Sequence, residues 1–172
     1  AKITTPEIHE NSANVEVAVT RQNDDDKEMA AQITIHLKDK NGKLADTVTE
    51  NIMVEGNAEN RFIKQIQVKN PVLWSLESPN LYTAEIVIEV GNKIIDNYQQ
   101  SFGIRSIDFS AEKGFLLNGK SLLLKGGCLH HDNGLLGAAA FDRAEIRKVE
   151  IMKANGFNAI RFSHNPPSES FL

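Results

Sequence analysis

From Lys2 to about Ile104 the apolar residues recur at every second position in short blocks, as in Val15-Glu16-Val17-Ala18-Val19, Ile33-Thr34-Ile35-His36-Leu37 and Phe62-Ile63-Lys64-Gln65-Ile66-Gln67-Val68. A side-chain period of two is the signature of a strand with one face buried and one face wet. Residues 2–8, 43–48, 81–90 and 93–104 continue the pattern, for seven strands in all. Asn41-Gly42 and Gly91-Asn92 fall between strands, where both residue types tolerate the positive φ of a two-residue hairpin turn, so the strands are predicted to pair antiparallel. Seven short antiparallel strands in roughly 100 residues predict an immunoglobulin-like β-sandwich over residues 1–104. His36 falls on the polar side of its strand and His9 in a polar connection, so both read as surface residues.

Past Gly103 the pattern changes, and eight of the eleven glycines lie from there on. A hairpin is predicted around Asn118-Gly119, leading into Ser121-Leu122-Leu123-Leu124-Lys125-Gly126-Gly127, whose unbroken apolar run suits a strand buried on both faces. Asp142 with Glu145 three residues later has the spacing of a capping box, and Asn155-Gly156 offers a left-handed stop, so a helix is predicted near residues 143–155. Phe157-Asn158-Ala159-Ile160-Arg161-Phe162 then reads as a second strand. Strand, helix and strand in this order predict a βαβ unit with parallel strands, and a domain boundary between residues 104 and 110. The fold class is thus mainly β, a sandwich at 1–104 followed by a βαβ unit at 105–172.

Ligands of parallel α/β sheets and barrels sit beyond the carboxyl ends of the strands. Here those ends run into Cys128-Leu129-His130-His131-Asp132-Asn133 and Ser163-His164-Asn165-Pro166-Pro167, which gathers three of the five histidines at one rim. A sugar or polyol held by imidazole and amide groups, a metal ion, and purely structural histidines all fit these residue types. Adjacent side chains of an extended segment point to opposite sides, so His130 and His131 do not share an ion, and no helical His-Glu spacing is present; no metal site is expected.

A net charge of -4 with 19 Lys and Arg spread along the chain leaves no basic stripe, so nucleic acid is not an expected partner. No apolar run approaches the roughly 20 residues of a membrane span. Hydrophobic residues at 41% and charged residues at 24% are ordinary globular values, and the single Cys128 forms no internal disulfide.

Phe102-Gly103-Ile104-Arg105-Ser106, Leu124-Lys125-Gly126-Gly127-Cys128-Leu129-His130-His131-Asp132 and above all Asn158-Ala159-Ile160-Arg161-Phe162-Ser163-His164-Asn165-Pro166 resemble glycoside hydrolase family two, which contains β-galactosidases, β-glucuronidases and β-mannosidases. Residues 70–82, with Trp74, are similar to the family's immunoglobulin-like domain just before its barrel. The resemblance implies that residues 105–172 open a (β/α)8 barrel and stop after two of its eight strands. It implies that His130, His164 and Asp132 bind sugar hydroxyls, with Arg161 orienting the nucleophilic carboxylate and Asn165 in support. The sequence departs from the usual family form at Cys128-Leu129, where Asn-Arg or Asn-Lys is common, and at Asn165, where Tyr is common.

Retaining glycoside hydrolysis uses two carboxyl groups roughly 5 to 5.5 Å apart. The family supplies both as glutamates from later strands. In the present chain Asp142 and Glu145 are assigned to the helix cap, Glu150 to the helix and Glu169 to the next helix, which leaves Asp132 at the rim. The resemblance therefore implies a piece of an exo-acting β-galactosidase, with β-glucuronidase or β-mannosidase as alternatives, that is inactive alone. Its partners are terminal β-linked sugars or oligosaccharides, with a homo-oligomer as an option; no cofactor is expected in this stretch, and the complete enzyme has room for a divalent or monovalent cation. A non-catalytic glycan-binding or structural sandwich module is the alternative from another class, with Trp74, Tyr82 and Tyr98 as candidate stacking platforms.

Overall fold

The computed structural model describes residues 1–172, which divide into two compact units: residues 1–109 with 116–120, and residues 110–115 with 121–172. No helix is long and apolar enough to cross a membrane.

The first unit holds seven strands, β1 (Lys2–His9), β2 (Ser12–Asn23), β3 (Met29–Lys38), β4 (Leu44–Val54), β5 (Ala58–Lys69), β6 (Tyr82–Val90) and β7 (Lys93–Phe102). They form an antiparallel sheet in the order β1-β2-β5 and a second in the order β4-β3-β6-β7. The alternating apolar positions face one another between the sheets: Val15, Val17 and Val19 of β2 and Ile66 and Val68 of β5 pack in one core with Ile33, Ile35 and Leu37 of β3 and Ile86 of β6. Burying each such side chain contributes about 1.5–3 kcal/mol, which makes this cluster the main source of the unit's stability. Pro6, which has no amide hydrogen to donate, lies within the register shift of edge strand β1.

Gly91 and Asn92 both have positive φ (55° and 62°) and join β6 to β7 as the expected two-residue turn. The Asn41-Gly42 connection differs. Lys38 pairs with Leu44, and the five residues between them are organised by Asp39, whose Oδ1 accepts the amides of Asn41 (2.8 Å) and Lys43 (3.0 Å). Only Gly42 is left-handed, at φ 78°. An aspartate side chain that captures turn amides has replaced the two-residue geometry.

Where the chain passes between the units, β8 (Ile107–Ser110), β9 (Gly114–Leu117) and β10 (Lys120–Ser121) form a small sheet, with Asn118 and Gly119 left-handed between the last two. The second unit then contributes β11 (Gly126–Leu129), α1 (Asp142–Ala154) and β12 (Ala159–Phe162), and β11 and β12 pair in parallel.

Two local expectations are corrected here. The strand does not begin at Ser121: residues 122–125 lie outside any strand and Leu123 is 75% exposed. Their backbone is held instead by Asn158, whose Oδ1 accepts the Lys125 amide (2.7 Å), whose Nδ2 donates to Leu123 O (3.0 Å) and whose own amide donates to Lys125 O (2.9 Å). Nor is there a capping box. The N-cap is Phe141, whose side chain has no hydrogen-bonding atom, and Glu145 turns toward the buried side of the helix instead of back to the cap. The C-terminus does end as expected: Gly156, at φ 82°, donates to Lys153 O (3.0 Å) and Phe157 to Met152 O (3.1 Å), the paired bonds of a Schellman motif.

Candidate sugar-binding rim

The parallel register places Cys128 opposite Arg161 and Leu129 opposite Phe162. One further bond, from Ser163 N to Leu129 O (3.0 Å), carries the pairing past the strand ends, so the chains leave the sheet side by side as His130 and His164. A Cβ at Gly126 would lie 2.9 Å from Ala159 O, so the close approach of the two strands requires glycine there. The two imidazole centroids stand 5.9 Å apart with planes at 54°, both rings exposed; the Ser163–His164 peptide is cis.

Arg161, on β12, precedes His164 by three residues. Its Nη1 donates to Oγ of the buried Ser163 (3.1 Å) and lies 3.8 Å from Cys128 Sγ. Asp132 closes a tight turn after His130: its amide donates to His130 O (2.8 Å) and its Oδ1 accepts the Gly134 amide (2.9 Å). Asn165 is exposed one residue beyond His164. The structure thus brings His130 and His164 together, with Arg161 held on Ser163 in the strand below and Asp132 on the turn beyond His130.

Sequence reasoning missed what lies under that turn. Glu145 is 1% exposed, and its Oε1 is 2.8 Å from Nζ of Lys148, one helical step on. The ammonium of Lys148, paired with it, holds the Glu145 carboxyl below its ordinary value against the opposing effect of burial, with smaller contributions from Asn133 and His131. Lys148 Nζ reaches Asp132 O at 3.4 Å and sits about 6 Å from the rings of Phe162 and Phe171, which pack at 4.8 Å. Asn133 Nδ2 donates to Ala139 O (3.2 Å). A buried ion pair therefore backs the turn that carries His130 and Asp132. The sequence held a signal for it: Glu145 shares the helix face of Val149 and Met152, at i+4 and i+7, where an unpaired carboxylate would be costly.

Exposed imidazoles offer donors and acceptors to hydroxyl groups, and a guanidinium attracts a carboxylate. No three His, Cys, Asp or Glu side chains converge as a metal ion requires.

Comparison with known proteins identifies the family. Residues 1–105 match the family model of glycosyl hydrolases family 2, and residues 110–172 match the model of that family's TIM barrel domain. The chain is 36% identical over 170 residues to the β-galactosidase BoGH2A of Bacteroides ovatus, covering 99% of this chain and 20% of that enzyme. The crystal structure of a glycosyl hydrolase family 2 member from Bacteroides cellulosilyticus superposes with a TM-score of 0.94 at 43% identity, covering 98% of this chain and 23% of that one. A β-glucuronidase from Bacteroides uniformis gives 0.89 at 29%, covering 98% and 20%. The chain spans about a fifth of the length of the curated relatives it matches.

Proposed function

Because the chain belongs to glycosyl hydrolases family 2, we propose that it supplies the immunoglobulin-like domain and the first wall of the sugar site of a retaining, exo-acting β-glycosidase, a β-galactosidase in the first instance. The observation that carries this reading is the pair of exposed imidazoles, His130 and His164, 5.9 Å apart at the carboxyl ends of adjacent parallel strands. In that reading the two rings hold hydroxyls of the terminal sugar, and Asp132 accepts a further hydroxyl proton. Arg161, anchored on Ser163, directs its charge at the carboxylate nucleophile.

The double displacement runs through two glutamates on later strands. One attacks the anomeric carbon as the other protonates the departing oxygen; water then cleaves the glycosyl ester with the second glutamate acting as base. Neither role falls to this chain, since Glu145 is committed to Lys148 and Glu150 to Arg143 at 2.9 Å.

The test is a panel of aryl β-galactoside, β-glucuronide and β-mannoside on an enzyme carrying the complete barrel, with the anomer of the first-formed product read by NMR. Cleavage of the galactoside with retention is the expected result. Preference for the glucuronide would move the assignment within the family, as the Bacteroides uniformis relative allows, and cleavage of none of them would overturn it.

A further inference from the structure

One lysine reaches both of the segments that carry the rim histidines. Lys148 stands on α1 with its side chain 17% exposed. Its Nζ lies 2.8 Å from Glu145 Oε1, 3.4 Å from Asp132 O in the turn after β11, and 6.0 Å from the ring centre of Phe162, the last residue of β12. Both connections to the histidines are short. Asp132 follows His130 by two residues and its amide donates to His130 O (2.8 Å), while Phe162 precedes His164 by two. Asp132 is thus held from both sides, by its amide on His130 and by its carbonyl on Lys148.

Stability alone does not account for a charge in this place. Taking a carboxylate and an ammonium out of water is costly, and an apolar pair of similar volume is commonly as stable or more so. An apolar side chain at position 148 would fill the space beneath the turn, but it has nothing to donate to the Asp132 carbonyl. An ammonium has three donors, enough for the Glu145 carboxylate and Asp132 O together, and its charge also lies within cation–π reach of Phe162. Glu145, 1% exposed and three residues earlier on the same helix, fixes where that charge points.

We infer that Lys148 is a positioning residue of the sugar site: anchored by Glu145, it sets where the turn carrying His130 and Asp132 stands relative to the strand end carrying His164, and so holds the 5.9 Å spacing of the two rings. The inference rests on the reading of these rings as sugar ligands. Lys148 acts through the turn and not on the substrate. What it controls is a geometry that a reacting sugar uses and the folded chain does not need. Displacing groups aimed at a transition state lowers kcat more than it raises KM, and a shift of about 1 Å is enough to cost on the order of 10²-fold.

The test uses an enzyme carrying the complete barrel and the aryl glycoside it cleaves best. Glu145→Leu/Lys148→Met removes both charges at once, so its melting temperature should match or exceed that of the natural enzyme, yet its kcat/KM should fall by at least about tenfold, chiefly in kcat. Its crystal structure should show Asp132 displaced and the ring separation changed from 5.9 Å. The single variants Lys148→Met and Glu145→Gln break the same ion pair and both lose stability, but only the first removes the donor to Asp132 O. Assayed well below either melting point, kcat/KM should drop in Lys148→Met and stay within about threefold of natural in Glu145→Gln. That contrast carries the test if the double variant fails to fold. Natural kcat/KM in the double variant, unmoved rings, a loss confined to KM, or equal losses in the two single variants would each overturn the role of Lys148. Cleavage of no aryl glycoside by the natural enzyme would overturn the sugar-site reading instead, and the ring separation in the double variant would still decide whether Lys148 sets it.

Discussion

His164 stands at the end of β12 with its ring 5.9 Å from that of His130, and it makes no contribution to a buried core, so its removal tests binding rather than folding. In an enzyme with the complete barrel, His164→Ala is expected to lower kcat/KM by about 10²-fold, close to 2.7 kcal/mol of transition-state binding. Near-normal kcat/KM in that variant would refute its role at the sugar. Glu145 calls for the opposite measurement. Its carboxyl titrates below the ordinary value of about 4.5 because Lys148 bonds the charged form. The folded state therefore binds this proton more weakly than the unfolded chain, so the pair's stabilisation is fully present above the unfolded value and is lost as pH falls through the lower, folded one. Stability of the rim unit, followed by amide exchange of residues 130–137, should decline below about pH 4.5 in the natural sequence. That decline should be much shallower in Glu145→Gln, which should also be less stable at pH 7 by on the order of 3 kcal/mol, because it strands Lys148 without its partner. An unchanged acid profile in Glu145→Gln would show that another carboxyl governs the transition.

The seven sandwich strands were legible because each carries its own two-residue period and each inward position meets an apolar partner across the interlayer space, Val17 and Ile35 alike. The helix stop at Asn155-Gly156 was legible for a similar reason, since a left-handed cap is a local requirement. The misreadings share a different cause. Leu122-Leu123-Leu124 has strand composition, yet its backbone is tied down by Asn158, more than thirty residues away in sequence, and no local pattern announces such a bond. Glu145 matched a capping pattern by spacing, but a half-buried lysine on its own helix claimed the carboxylate. At the rim, the nearness of His130 and His164 followed from strand order alone, whereas the ion pair beneath the turn required knowing which helix face is covered. Asn158→Ala is therefore expected to free the segment leading into β11: exchange of the Lys125 amide, bonded at 2.7 Å, should accelerate by at least about tenfold with the sandwich amides unaffected. Equal protection in the variant would mean that the parallel pairing alone holds this segment.

The distribution of buried residues differs sharply between the two units. Every buried apolar side chain, from Ala13 to Leu117, belongs to the first unit, while the buried residues of the second are Glu145 and Ser163, both polar. Leu123, Leu124, Phe141 and Phe157 of the second unit are exposed instead. A unit without an apolar interior has little to set against its chain entropy. Denaturant titration should accordingly give two transitions, with the amides of 121–172 losing protection at lower urea than those of β2, β3 and β5; one coincident transition would contradict this. The same chain, offered aryl β-galactoside, β-glucuronide and β-mannoside, should show no turnover above a buffer blank, and reproducible turnover would overturn the assignment of both glutamates to later strands. The location of the core also sets an order of events on the ribosome. Its last member is Ile104, so every strand of the sandwich has been synthesised before the first residue of β11 is made. At about 5–20 residues per second, the sandwich gains several seconds in which to close before Asn158 and Arg161 are even polymerised. Its fold can thus be complete while the barrel is still a nascent, unpaired edge, so a stalled or slowly translated message leaves a folded domain carrying a sticky tail, a natural client for a chaperone acting at the exit tunnel.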